Sequence, residues 1–229
     1  MRCSIRISKG NTLIIPDIHF PYHHPDSFDF LNDVARKWQC KRIRSSGDMF
    51  DMHRTGKHLP EPDSMSMKEE IEMGRVCVKR LASIFPRMEI CYGNHDLRAY
   101  KAVKEKGIIA EMLYSLSELY SCPPGWRFDY EFRDEGVTYF HGDGYSGQKG
   151  ALEAAMKRRS SVVIGHLHSF GGVHYHNNGE SQIFGLNVGC LIDASLPAFN
   201  YAKTSKDKAT LGCGVVIDGG EQGFFVPLV

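Results

Sequence analysis

The chain has 229 residues, 42% hydrophobic and 24% charged, enough for one sizeable core in an ordinary soluble globular protein. Its formal net charge of +1 gives no overall basic field for nucleic acid and no acidic field for a cationic partner. Its seven cysteines are odd in number and show no Cys-x-x-Cys spacing, so neither a disulfide framework nor a thiolate zinc site is indicated, and a reducing cytoplasm is the expected location.

The start, Met1-Arg2-Cys3-Ser4-Ile5-Arg6, lacks the apolar stretch of a signal peptide. No apolar run approaches the roughly 18 residues of a membrane span, so no membrane partner is expected. Residues 2–8 alternate apolar and polar before the turn signal Lys9-Gly10-Asn11, which predicts a hairpin into a strand at 12–15. Pro25-Asp26-Ser27 opens a helix with Phe28, Leu31, Val34, Ala35 and Trp38 at helical spacing. A strand is expected at 42–46 despite the polar Arg44, Ser45 and Ser46, and a long loop at 52–65. Ser66-Met67-Lys68-Glu69 has the capping-box pattern and starts a helix that Pro86 ends.

The run 88–92 reads as a strand, and 97–120 as helical with a break at Gly107. A hairpin is expected from 126–133 and 136–141, turning at Asp134-Glu135-Gly136. A helix follows from Gly150 to Arg159, then strands at 161–165, 172–176, 181–188, 211–217 and 223–227, with Asn177-Asn178-Gly179 as a tight turn. Helix and strand alternate in the first half and strands dominate the second, which predicts α/β layers with mixed sheets. No repeat, linker or low-complexity tract divides residues 1–229, so one domain is expected.

Five strand-like runs end directly on ligand-type residues. They lead into Asp17-Ile18-His19, Gly47-Asp48-Met49-Phe50-Asp51, Gly93-Asn94-His95-Asp96, His141-Gly142 and Gly165-His166-Leu167-His168. Taken singly, each has an ordinary reading: a polar turn, a loop pair, or a helix N-cap in the case of Asp96. Together they suggest a site at the carboxyl ends of several strands, where open α/β sheets place their ligands. Residues at i and i+2 of a strand point the same way, so Asp17 with His19 can grip one ion, and two imidazoles at that spacing, His166 and His168, are hard to dismiss as structural. Asp17, His19, Asp48, Asn94, His141, His166 and His168 are seven candidate ligands, too many for one ion and suited to two with a shared carboxylate. Nitrogen and oxygen donors without thiolate favour Mn, Fe, Zn or Ni over Ca or Mg. Paired ions of this kind recur in phosphoester cleavage.

In order and spacing these blocks resemble the calcineurin-like metallophosphoesterase family, with Asn187-Val188-Gly189 matching a further Asn-x-Gly strand of that family. The resemblance implies a four-layer α-β-β-α sandwich of two mixed β-sheets flanked by helices. It implies one metal on Asp17, His19, Asp48 and His168, and a second on Asp48, Asn94, His141 and His166. Manganese is expected first, with iron, zinc or nickel as alternatives. A hydroxide between the ions would attack phosphorus, with His95, paired with Asp51, as general acid at the leaving group. Met52 and Asp96 stand where protein Ser/Thr phosphatases carry Arg and Glu, which points away from that branch.

The expected function is therefore hydrolysis of a phosphomonoester or phosphodiester of small or nucleotide type. Arg98, His53 and Arg54 are candidate substrate contacts. One alternative is a nuclease of the same fold, for which Tyr114, Tyr120, Trp126 and Tyr130 offer stacking faces and the basic runs 36–44 and 157–159 offer charge. Another is a non-catalytic metal-binding scaffold similar to the retromer subunit of this fold. The sequence carries no sign of oligomeric state.

Overall fold

A computed structural model describes residues 10–56, 64–196, 199, 207–217 and 219–229. The elements of the first half are β1 (Asn11–Ile15), α1 (Ser27–Lys37), β2 (Cys40–Ser45), α2 (Met67–Ile84), β3 (Met88–Cys91), α3 (Arg98–Glu105) and α4 (Leu116–Leu119). Those of the second half are β4 (Trp126–Asp129), β5 (Glu131–Asp134), β6 (Val137–Phe140), α5 (Gly150–Arg158), β7 (Ser161–Ile164), β8 (Gly171–Asn177), β9 (Gln182–Val188), β10 (Gly212–Ile217) and β11 (Gln222–Pro227).

One sheet has the order β11-β10-β1-β2-β3-β4 and the other β5-β6-β7-β9-β8. Strands β1 to β4 run parallel, as do β6, β7 and β9, and antiparallel strands complete both sheets. Alternation along each strand explains the layering. Leu13, Ile15 and Val215 face a core shared with Leu31 of α1 and Val78 and Leu81 of α2. Ile14 and Val216 face the other way and meet Val163, Leu186 and Val188 of the second sheet. Val162 and Ile164 cover the outer face of that sheet against Ala151, Ala154 and Ala155 of α5. The result is the expected four-layer sandwich of two mixed sheets between helices.

Local chemistry sets the boundaries. Ser66 Oγ accepts the Glu69 N–H and the Glu69 carboxylate accepts the Ser66 N–H, so α2 begins on its capping box. A second capping box, Ser115 with Glu118, starts α4. The weak strand pattern at 42–46 is a true strand because its charge is neutralised. Arg44 Nε lies 2.7 Å from Glu89 Oε2, its Nη2 lies 3.4 Å from Asp134, and the guanidinium sits 4.2 Å over the Tyr139 ring. Arg42 pairs with Asp134 and Glu135. Arg42 and Arg44 of this basic run are thus committed to partners within the fold.

Two expectations need correction here, and the break expected at Gly107 is borne out. The run 126–133 is two strands, not one: Trp126–Asp129 pairs with β3 in the first sheet, and Glu131–Asp134 pairs with β6 in the second. The chain changes sheets at Tyr130, where the Asp129 carboxylate accepts the Tyr130 N–H at 2.7 Å; an alternating pattern does not say which sheet a residue joins. The helical stretch 97–120 is broken into α3, a 3-10 turn and α4, with Gly107 at φ +73°. Tyr120 and Trp126 are buried in the first core, so they offer no stacking faces, whereas Tyr114 and Tyr130 are exposed. The hairpin expected at 2–8 lies outside the described residues. Among the described residues no helix is long and apolar enough to cross a membrane, and the six described cysteines are free.

Candidate metal centre

Each ligand-bearing block follows a strand: β1 leads to Asp17, β2 to Asp48, β3 to Asn94, β6 to His141 and β7 to His166. Because these strands run parallel within each sheet, their carboxyl ends open on the same side of the sandwich and the blocks converge. The backbone turns sharply to do this. His19, Asp48 and His166 all have positive φ, at 50°, 47° and 64°, a left-handed conformation that non-glycine residues seldom adopt. Close approach also requires glycine. A Cβ on Gly93 would lie 2.7 Å from Asp48 Cγ and nearer still to its Oδ1, and one on Gly165 would lie 2.5 Å from Ser46 Oγ.

Asp17, His19, Asp48 and His168 form one group whose ligand atoms all lie within 4.8 Å of one another. His168 Nε2 is 3.0 Å from Asp17 Oδ2 and 3.2 Å from His19 Nε2. Asp17 is held by the His166 N–H, 2.8 Å from its Oδ2, and by Ser46 Oγ, 3.3 Å from its Oδ1. Ser46, half of the unusual Ser-Ser pair before Gly47, therefore supports a candidate ligand. The second group gathers around His141: its Nε2 is 3.0 Å from Asn94 Oδ1, 3.2 Å from His166 Nδ1 and 3.3 Å from Asp48 Oδ2. His141 Nδ1 faces the Ser46 carbonyl at 3.1 Å, which leaves Nε2 for the centre. Asp48 Oδ2 is also 3.8 Å from His19 Nε2, so this carboxylate lies between the groups.

These spacings fit bound cations. Two imidazole nitrogens on one ion, each at about 2.0–2.1 Å, would lie roughly 3.0–3.4 Å apart for ligand angles of about 90–110°. Both observed nitrogen pairs, at 3.2 Å, fall in that range.

Protonation tells the same story in part. Burial opposes ionisation of Asp48, but His141, His95 and His19 outweigh it and hold its pKa well below the ordinary carboxylate value. Asp17 is lowered likewise, against burial, by His141 and His168. Burial lowers His19 and His166, which favours the neutral rings that ligate. Burial also pulls on His141, but Asp48 and Asp17 push its pKa up to about 10, so a cation here displaces a proton from it.

Asp51 reaches the centre from behind. Its Oδ1 is 2.7 Å from His19 Nδ1 and 2.9 Å from His95 Nδ1, so it orients two rings where the sequence suggested one. Against burial, its pKa is held well below the ordinary value by His19, His53 and His95. Arg98 Nη1 donates to the Asp51 carbonyl at 2.9 Å and Nη2 lies 2.9 Å from His95 Nε2. His53 Nδ1 is 3.6 Å from Asp51 Oδ2. Arg54 turns away: its guanidinium donates to the carbonyls of Ser64 and Met65, because the chain folds back over it. It is not brought to the centre.

The cleft at the centre has a volume of about 680 Å³ and is lined by Asp48, Asn94, His95, His166 and His168, by apolar residues that include Phe170, Ile192 and Phe199, and by Asp207 and Lys208. Sequence reasoning missed those apolar residues, which no motif marks. It also missed Asp143, whose Oδ1 lies 4.0 Å from His166 Nδ1 and which the spacing His141-x-Asp143 could have flagged. Asp96 is not a helix N-cap. Leu97 holds that place, and Asp96 accepts the N–H groups of Phe50 and Gly93, both at 2.9 Å, tying the second block to the third.

Comparison with family models and with curated proteins finds no match to this chain. Solved structures do match. A metallophosphoesterase from Sphaerobacter thermophilus is 16% identical, with a TM-score of 0.49, over 96% of this chain and 88% of the other. Vacuolar Protein Sorting 29 from Cryptosporidium parvum is 12% identical, with a TM-score of 0.44, over 96% and 97%. The E. coli phosphoesterase Yfce is 10% identical, with a TM-score of 0.43, over 91% and 88%. At identities this low, likeness concerns the path of the chain and not the reaction.

Proposed function

We propose that this chain, whose motif order resembles that of the calcineurin-like metallophosphoesterases, is a metal-dependent phosphoesterase acting on a small or nucleotide-type phosphate ester. The observation that carries the reading is the position of Asp48: one carboxylate stands between a group of Asp17, His19 and His168 and a group of Asn94, His141 and His166. Those residues would hold two divalent ions, manganese first among Mn, Fe, Zn and Ni. When bound, the ions would supply Lewis acidity toward phosphoryl oxygens and lower the pKa of a water at the site.

The chain's own residues do the rest. Asp51 accepts a hydrogen bond from the His19 Nδ1–H, which fixes the tautomer that presents Nε2 to the centre. It accepts one from the His95 Nδ1–H in the same way, so the His95 Nε2 edge is the one turned toward Arg98 and the cleft. As it stands, Arg98 Nη2 donates to the His95 Nε2 lone pair, so His95 serves as proton donor to a departing oxygen only once Arg98 turns to the phosphoryl group and Nε2 takes up a proton. Arg98 already bridges the Asp51 carbonyl and His95, and its planar guanidinium suits a phosphoryl oxygen brought into this corner. Phe199, edge-on to His19 at 5.8 Å, adds an apolar surface to the cleft beside these rings.

The test is a matrix of metals against substrates: Mn, Fe, Zn and Ni with para-nitrophenyl phosphate, its bis ester, cyclic nucleotides, and single- and double-stranded DNA. Hydrolysis of a small ester that needs an added divalent ion is the expected result. Hydrolysis of DNA alone would support the nuclease alternative. Tight binding of two ions with no hydrolysis would support the scaffold alternative. Failure to bind ions would remove the reading altogether.

A further inference from the structure

Outside the motifs, one carboxylate is as deeply buried as the candidate ligands. Glu70 stands in the first turn of α2 and has 0% exposure. The helix does not need it there, because its neighbour Glu69, at the surface, completes the capping box and supplies the negative charge that suits a helix start. Glu70 Oε1 accepts the His53 N–H at 2.9 Å, while Oε2 is buried without a hydrogen-bond partner. Tyr22 Oη, Tyr120 Oη and His53 Nε2 are buried and unpartnered as well.

These four groups share one region. The Tyr22 and His53 rings are 6.1 Å apart. Burial, and after it the charge of Glu70, raises the pKa of both phenols. Burial raises Glu70 itself to about 7, with the His53 N–H, His53 and Arg98 pulling it down and Asp51 pushing it up. Gly74, one turn along α2, lets Tyr120 lie against the helix: a Cβ there would meet Tyr120 Cε1 at 2.6 Å. Phenol donors, a carboxylate acceptor and an imidazole nitrogen enclosed together are the setting in which proteins hold ordered water.

The location of Glu70 gives its hydrogen bond to His53 a meaning. His53 follows Met52, a non-glycine residue in left-handed backbone at φ 51° and ψ 46°, and Met52 follows Asp51. Such a conformation persists only where its surroundings hold it. The Glu70 hydrogen bond grips the peptide immediately after that turn.

We propose that Glu70 is a positioning residue: through the His53 amide and water shared with Tyr22 and Tyr120, it fixes the Met52 turn and so the Asp51 carboxylate that orients His19 and His95. Its kinetic consequence rests on the phosphoesterase reading, and its geometric consequence does not. Replacing Glu70 by Leu removes the acceptor, whereas Gln keeps an oxygen for the His53 N–H.

The variants Glu70→Leu, Glu70→Gln and the double variant Tyr22→Phe/Tyr120→Phe are compared with the wild type in two measurements. One is manganese-supported hydrolysis of bis(para-nitrophenyl) phosphate. The other is imidazole NMR of the zinc-loaded protein, reading the Nδ1–H signals of His19 and His95. Glu70→Leu is expected to lose kcat by about 10- to 100-fold, the range for removing a group that orients a site ligand, with KM within about twofold and ion content unchanged. Its Nδ1–H signals shift or broaden, and Glu70→Gln restores most of kcat and both signals. The tyrosine pair, which keeps the fold if Glu70→Leu does not, is expected to lower kcat at least threefold with KM held.

Unchanged signals and kcat in Glu70→Leu, or in the tyrosine pair if Glu70→Leu does not fold, would overturn the proposal. So would a loss confined to ion content. A wild type that hydrolyses nothing, with signals that still move in Glu70→Leu, would remove the phosphoesterase reading and leave the positioning role standing.

Discussion

Gly93→Ala isolates the contact on which the centre turns. Gly93 has no positive φ, so alanine meets no backbone penalty there, and the effect is purely one of space. The new methyl would lie 2.7 Å from Asp48 Cγ and nearer still to its Oδ1 and to the Asp48 backbone N, against about 3.4 Å for an ordinary contact, so both the carboxylate and the Asp48 backbone must retreat, by about 1 Å. Asp48 cannot do this quietly. Its Oδ1 accepts the His95 N–H at 2.7 Å, and its Oδ2 is 3.3 Å from His141. A misplacement near 1 Å in a reacting constellation costs about 10²-fold in rate, and overpacking a filled site costs about 1–3 kcal/mol of stability. The expected outcome is a folded protein with kcat/KM lower by about 10²-fold and with weaker binding of both ions. Calorimetric metal titration and steady-state hydrolysis of bis(para-nitrophenyl) phosphate measure these quantities. Wild-type affinity for two ions with turnover within twofold would refute the placement of Asp48 between two cations.

His95→Ala should lower kcat by about 10²–10⁴-fold while both ions still bind; loss of metal with turnover kept would show that His95 is a ligand and not an acid. Arg98→Ala should raise KM for phosphate esters by about tenfold or more, read from initial rates, and an unchanged KM would place its role in structure alone. The pH dependence follows from His141. Its pKa in the metal-free fold, about 10, lies above its ordinary value, so it stabilises that fold fully below about 6.5 and ceases to do so as pH rises through 10. The metal-free melting temperature should therefore fall between pH 7 and 10, while apparent metal affinity climbs over the same interval by up to about tenfold per unit. A metal-free melting temperature that is flat or rising there would contradict the assignment.

Much of the centre was legible because strand-end motifs are local. A polar residue with no loop between it and an apolar run has nowhere to go except the end of that strand, so Asp17, Asp48, Asn94, His141 and His166 could be placed before their neighbours were known. What joins the blocks was not legible. Asp96 accepting from Phe50, Ser46 supporting Asp17, and Glu70 reaching His53 from α2 are all contacts between separate segments of the chain. The division of 126–133 between two sheets failed for a related reason: both halves alternate, and only the partner strands distinguish them. Arg44 looked wrong for a strand because its counter-charges, Glu89 and Asp134, lie on other strands.

The left-handed backbone at His19, Asp48 and His166 carries a cost. For an L-residue with a side chain this conformation costs about 1–2 kcal/mol, and glycine escapes most of that. At these three positions the side chain that bears the cost is also one that faces the centre, so the scaffold gives up local stability where the donors converge. Asp48→Gly should accordingly relieve the backbone yet leave the His95 N–H and the His141 ring without their acceptor, giving an inert protein whose metal-free melting temperature does not rise.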